Sequence, residues 1–312
     1  MEFRAFVYDD APSGGSVVTQ LKTGLLLLLS TALMGSSFAI GQMGLRYAPP
    51  IFLAGLRFTL AGLLLVWWVR GRSLPASWAA WAKVAVIGLL QTAGVMGAIF
   101  VSLKTIPSGE SALLTFANPL LVVVFGALFL RHSYRRAQWV GVVLGFVGLA
   151  FALGPHFVLT SGVAFGLAAA VSWAVATLLM KRWHGFVDLW VLTAYQMLVG
   201  GLCLLAVSEI FESPAFVLNG ASITILAWLV VMASIVQFGA WFYVLHHNDP
   251  ARVSAYLFMA PVFGVLSGWV LLQQAIGWHV AVGALGVGAG IWLVNSSWGV
   301  KTEEVSPLWE SS

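Results

Sequence analysis

The chain is a succession of long apolar runs broken by short polar punctuation. Divided at charged residues, prolines and glycine-containing turns, the runs cover about 22–44, 50–70, 79–103, 107–130, 136–153, 160–181, 188–208, 222–245, 250–271 and 277–297. A helix needs about 20 predominantly apolar residues to cross the hydrocarbon core of a bilayer. The pattern therefore predicts an all-α integral membrane protein of ten transmembrane helices. The runs are continuously apolar, whereas the strands of a membrane barrel alternate apolar and polar positions. A helix also satisfies its own backbone groups in lipid.

Composition agrees. Of 312 residues, 60% are hydrophobic and 8% charged, far from the roughly 25% charged residues of a soluble domain. The formal charge of +4 does not indicate nucleic acid, because the basic residues sit in clusters between apolar runs, where they act as topology signals. With the N-terminus inside, Arg4, Lys22, Arg70, Arg72, Lys83, Arg131, Arg135, Arg136, Lys181, Arg182, Arg252 and Lys301 fall on the cytoplasmic side, and Arg46 and Lys104 on the other. Both termini are thus expected in the cytoplasm, with the chain in the inner membrane of the cell. Lys22 before Leu25–Leu29 resembles a signal sequence, but the apolar run continues to Leu45 and reads as a retained first helix. The single Cys203 forms no disulfide framework within one chain.

Comparison of the chain with itself gives its organisation. Residues 53–62 align with 192–201, and Phe116-Ala117-Asn118-Pro119 aligns with Phe258-Met259-Ala260-Pro261. Gly141 and Gly148 fall opposite Gly283 and Gly290 in the second register. The expected layout is a cytoplasmic segment 1–21, a five-helix repeat 22–153, a second repeat 154–297 and a tail 298–312. An odd number of helices per copy makes the halves inverted, an arrangement suited to alternating access around a midplane site.

The motifs Met34-Gly35-Ser36-Ser37-Phe38, Arg57-Phe58 with Ala61-Gly62, and Ala112 through Pro119, with Ser172-Trp173-Ala174 and Pro261 in the second half, resemble those of the EamA-type ten-helix permeases of the drug/metabolite transporter superfamily. Met34 departs from the tryptophan usual there. The whole chain is most similar to YddG-type aromatic amino-acid exporters. The resemblance implies export of small organic solutes, amino acids above all, with nucleotide sugars, drugs or other metabolites as the alternative.

Polar groups at membrane depth are costly and mark pathways. Arg57 is the basic residue inside a predicted span, and it is read either as snorkelling to headgroups or as a gate or carboxylate-binding charge; Gln196 is its repeat counterpart. Pro119 and Pro261 are expected to kink helices four and nine and serve as hinges, with Pro119 freeing the carbonyl of Thr115. Cavity candidates are Ser37, Gln91, Thr115, Asn118, Trp173, Gln237 and Trp241, with Ser36, Thr92, Phe100, Thr177, Phe242 and Tyr243 nearby. Ser108 and Asp249-Pro250 read as helix starts, Lys104 and Glu110 as a surface pair, and Trp67, Trp68, Trp78, Trp81, Trp139, Trp278 and Trp298 as an interfacial belt. Gly141 and Gly145 predict close packing within the first half, with a dimer contact as the alternative to a monomer.

No constellation of titratable groups points to an enzyme, His132, His184, His246 and His247 lack carboxylates at metal-ligand spacing, and no phosphate-binding GxxxxGK[ST] loop is present. No metal or other cofactor is expected, and the partners are a small solute and the lipid bilayer. The acidic residues lie outside or near the ends of the runs, which favours facilitated efflux over proton coupling. A channel or a membrane-embedded enzyme is the competing class.

Overall fold

The computed structural model describes residues 17–154, 159–183, 185–248, 253 and 256–295. His184, Asp249-Pro250, Arg252, Trp298, Lys301 and the terminal segments 1–16 and 296–312 lie outside the described residues, as do the side chains of Phe242, His246 and His247.

Ten helices are formed among the described residues: α1 Val17–Gly44, α2 Pro50–Val69, α3 Trp78–Ser102, α4 Ser108–Leu130, α5 Arg136–Ala152, α6 Ser161–Arg182, α7 Leu189–Phe211, α8 (Gly220–Val230, Val231–Val236 and Gln237–His247 in succession), α9 Tyr256–Leu272 and α10 Trp278–Asn295. Eight are long and apolar enough to cross a membrane; α5 and α9 are apolar but shorter. At 1.5 Å per residue, the 17 residues of α5 extend about 25 Å. The chain is a multi-pass membrane protein.

Contacts between helix ends sort the bundle into two faces. One carries Lys22, Arg72, Lys83, Gln138 and Lys181 and is here termed the basic end. There Lys22 donates to the Tyr243 hydroxyl at 2.7 Å, Arg72 pairs with Asp188 at 3.0 Å, and Gln138 donates to Val294 O at 3.1 Å. At the far end, Gln42 Nε2 donates to Leu103 O and Ile106 O, and Val217 N–H donates to Tyr47 O.

Two close helix pairs brace the bundle, α2 with α7 and α5 with α10. Both depend on glycine at the crossing. A Cβ at Gly62 would lie 2.6 Å from Leu198 N, and one at Gly290 would lie 2.6 Å from Gly141 O. The α5 glycines therefore meet α10 of the second half as well as Leu120 of their own, which corrects the expected packing confined to one half. Small residues leave room for backbone-to-backbone approach, which drives association where lipid removes the hydrophobic incentive.

Two further expectations change. Helix α4 is not continuous: it stops at Thr115, turns at Phe116 and Ala117, and restarts at Asn118. Pro119 occupies the first turn of the second segment, where its missing N–H costs nothing. Pro261 likewise sits in the first turn of Met259–Leu272, after a 3-10 turn at Tyr256–Phe258. Neither proline kinks an unbroken helix. Both α3 and α8 contain π-helical segments, Gly88–Gly94 and Val231–Val236, which no apolar pattern reveals.

Candidate functional site

A cavity of about 510 Å³ lies between the helices. Its basic-end rim holds Tyr134, Gln138, Lys181, Leu189 and Asn295, and its inner wall holds Met34, Phe38, Phe100, Phe116 and Trp173. The aromatic rings form a continuous ceiling: Phe38 and Phe116 are 5.7 Å apart between centroids, and Phe116 and Trp173 5.8 Å.

Beyond the ceiling the far end is closed by an amide chain. Gln274, in the α9–α10 loop, accepts from Ser108 N and Oγ at 3.2 and 3.0 Å, and its Nε2 donates to Gln42 Oε1 at 2.7 Å. Ser108 is therefore held by Gln274 and does not cap α4 through its own side chain. Lys104 and Glu110 form no ion pair within bonding distance. Glu212 instead supplies the carboxylate at this end, accepting from Ile51 N and Phe52 N at 3.0 and 2.9 Å and thereby capping α2 from α7. Gln42, Gln274 and Glu212 were not predicted, since polar residues at span ends look like ordinary headgroup contacts.

Of the predicted residues, Ser37, Arg57, Gln91, Asn118, Pro119, Trp173, Gln196, Gln237 and Trp241 line the cavity. Thr115 and Pro261 do not. Thr115 is fully buried and its hydroxyl has no partner. Phe100 and Thr177 line the cavity as well, but Tyr243 is exposed and holds Lys22. The Ser37 hydroxyl is spent on Met34 O of its own helix. Tyr134, Gln138, Thr193 and Asn295 complete the polar lining and carry no sequence signal, because helix-end polar residues are common.

Arg57 does not snorkel. It is 3% exposed, and its Nε donates to Ser234 Oγ at 3.1 Å while Nη2 donates to Ala233 O at 2.8 Å. Both acceptors belong to the π-helical part of α8. Ser234 Oγ in turn donates to Leu229 O, five residues earlier, at 3.0 Å. π-Turns recur at functional sites for this reason: they present groups an α-turn would bury in its own ladder. The counterpart contact joins Gln196 Oε1 to Thr92 Oγ1 at 3.0 Å, with Thr92 in the π-helical part of α3. Arg57 and Gln196 are related by the first offset of the self-comparison, and Thr92 and Ser234 by the second. No carboxylate pairs with Arg57 among the described residues, so a charge that costs about 2.5–3.5 kcal/mol to insert at a helix centre is held by two neutral acceptors.

A model of the EamA-like transporter family matches residues 21–154 and again 160–296. The chain belongs to the EamA-like transporter family. Relatives of this EamA-like transporter include the "Uncharacterized transporter YoaV" of Bacillus subtilis, 25% identical with 88% of this chain and 96% of that one covered. A "Probable amino-acid metabolite efflux pump" of Salmonella typhimurium is 26% identical over 87% of this chain and 94% of its own length. The inner membrane transporter YedA of Escherichia coli is 29% identical over 75% and 78%. A crystal structure 21% identical in sequence superposes with a TM-score of 0.62, covering 87% of this chain and 95% of that one, which establishes a shared fold. The family identifies a membrane transporter.

Proposed function

We propose that this EamA-like transporter exports amino acids with apolar or aromatic side chains, as YddG-type permeases do, by alternating access. The observation that carries the reading is the cavity itself. It has the size of a small-molecule site, a ceiling of aromatic rings, a scatter of amides, a mouth at the basic end and a closed far end. By the positive-inside rule the basic end is cytoplasmic, the termini lie on that side, and the cavity faces the cell interior.

Two inverted five-helix halves, residues 22–153 and 154–297, are supported by the twofold family match and by the paired contacts of Arg57 and Gln196. Ten spans follow if α5 and α9 cross where the bilayer is locally thinned. The breaks before Pro119 and Pro261 serve as hinges at which the halves reorient. Driving force comes from the solute gradient.

The test is uptake into liposomes holding purified protein, with a panel of amino acids, nucleosides, nucleotide sugars and cationic drugs. Apolar and aromatic amino acids are expected to move down an imposed gradient of their own. Uptake confined to another class, or strictly dependent on a proton gradient, refutes the corresponding part of the proposal.

A further inference from the structure

The cavity is one-signed. Its charged lining consists of Arg57 in the wall and Lys181 at the rim, and no Asp or Glu lines it among the described residues. Arg57 spends its Nε and Nη2 edge on Ser234 and Ala233. A guanidinium carries five N–H donors, so the Nη1–Nη2 end stays uncommitted, and that end is the fork that grips a carboxylate with two parallel hydrogen bonds.

Two further features bear on the two ends of an amino acid. The second segment of α4 begins beside the cavity at Asn118 and Pro119, both of which line it. The start of a 13-residue helix carries partial positive charge even with the N–H groups of Leu120 and Leu121 donated to Ala117 O, and broken helices present such ends to anionic groups of solutes. Gln91, 8% exposed and in the cavity wall, has an Oε1 with no hydrogen-bond partner. The oxygen is buried in the wall and neutral, so it gives an ammonium group in the cavity no counter-charge.

We infer that the cavity is a carboxylate site: Arg57 anchors the acid of an organic acid with an apolar or aromatic body, and the amino group is not read by charge. This rests on the proposed transport of amino acids and states which of their groups is recognised. The solutes it takes extend to deaminated acids of the same shape and exclude the corresponding amines and cationic drugs, which would meet two positive charges and no negative one.

The experiment is equilibrium binding to the purified full chain in nanodiscs, with phenylalanine, 3-phenylpropanoate, phenylalaninamide and phenethylamine as probes. Phenylpropanoate should bind within about threefold of phenylalanine, and the amide and amine at least about tenfold more weakly, the usual size of a charged hydrogen-bonded anchor. Arg57→Gln installs the residue that the second half carries at the equivalent place, so it keeps a hydrogen-bonding side chain there. In that variant the preference for acid over amide should fall below about threefold, while Arg57→Lys keeps part of it. The wild-type series stands by itself if Arg57→Gln does not fold. Equal binding of acid and amine, loss of binding on deamination alone, or a tenfold acid preference surviving in Arg57→Gln overturns the inference while leaving amino-acid transport intact. Binding of none of the four probes overturns both.

Discussion

Replacing Gln274 with leucine should open the far end of the transporter. Gln274 joins the α9–α10 loop to α1 and α4 through hydrogen bonds with Ser108 N, Ser108 Oγ and Gln42 Oε1. Interhelical hydrogen bonds in membrane proteins are worth about 0.6 kcal/mol each on average. Losing all three removes about 2 kcal/mol from the closed arrangement, or about a 20-fold change in the opening equilibrium. Ser111 offers the probe. It is fully buried one turn inside Ser108, and its hydroxyl has no partner, so Ser111→Cys is a mild exchange once Cys203 is replaced by alanine. An impermeant maleimide reaching this thiol from the far side must wait for opening, and its rate then tracks the open population. The expected result is labelling about 20-fold faster in Gln274→Leu, with the melting temperature lowered only slightly. A labelling rate within about twofold of the parent, in a protein that still binds solute, would show that the amide chain does not hold the closure.

Other consequences follow from the same contacts. Gly290→Ala places a Cβ 2.6 Å from backbone atoms of Gly141 and Gly145, and overpacking of this kind costs about 1–3 kcal/mol, visible as a lower melting temperature in detergent. Glu212→Gln keeps the shape of the α2 cap but removes its charge and one carboxylate acceptor. Loss of a cap costs about 0.5–2 kcal/mol, so thermal unfolding should fall within that range while solute selectivity stays unchanged.

The ten helices were legible because their borders are written twice, once by the apolar runs and once by charges such as Arg70, Arg131 and Lys181. The cavity was legible for a related reason: few amides and one arginine sit at membrane depth, and polar groups there have few places to go except inward. What escaped the sequence is what depends on partners from distant helices. Nothing adjacent to Gln42 or Gln274 distinguishes them from headgroup contacts, and only the fold brings them within 2.7 Å. The π-helical turns of α3 and α8 escaped because a one-residue widening leaves the apolar pattern intact. Pro119 misled in a specific way. Its place in the middle of an apolar run suggested a kink, but the chain uses it to begin a new helix, and Thr115 then turns away from the cavity that Asn118 lines.

The related contacts on the two sides of the bundle separate a positioning role from a merely structural one. Ser234 holds the Nε edge of Arg57, and Thr92 holds Gln196 Oε1; both tie α2 or α7 to a π-helical turn, and both are buried. If these bonds only brace the bundle, Ser234→Ala and Thr92→Val should lower stability alike and leave selectivity unchanged. If Ser234 aims the guanidinium so that its Nη1–Nη2 end faces the solute, Ser234→Ala has a second effect that Thr92→Val lacks. The arginine keeps its bond to Ala233 O but loses the one that fixes its plane. Binding of 3-phenylpropanoate should then weaken about three- to tenfold, the worth of one hydrogen bond's orientation, while phenethylamine binding does not move. Equal losses for acid and amine in both variants would reduce Ser234 to a brace. An acid-specific loss confined to Ser234→Ala would make the π-turn of α8 part of how the transporter reads its solute.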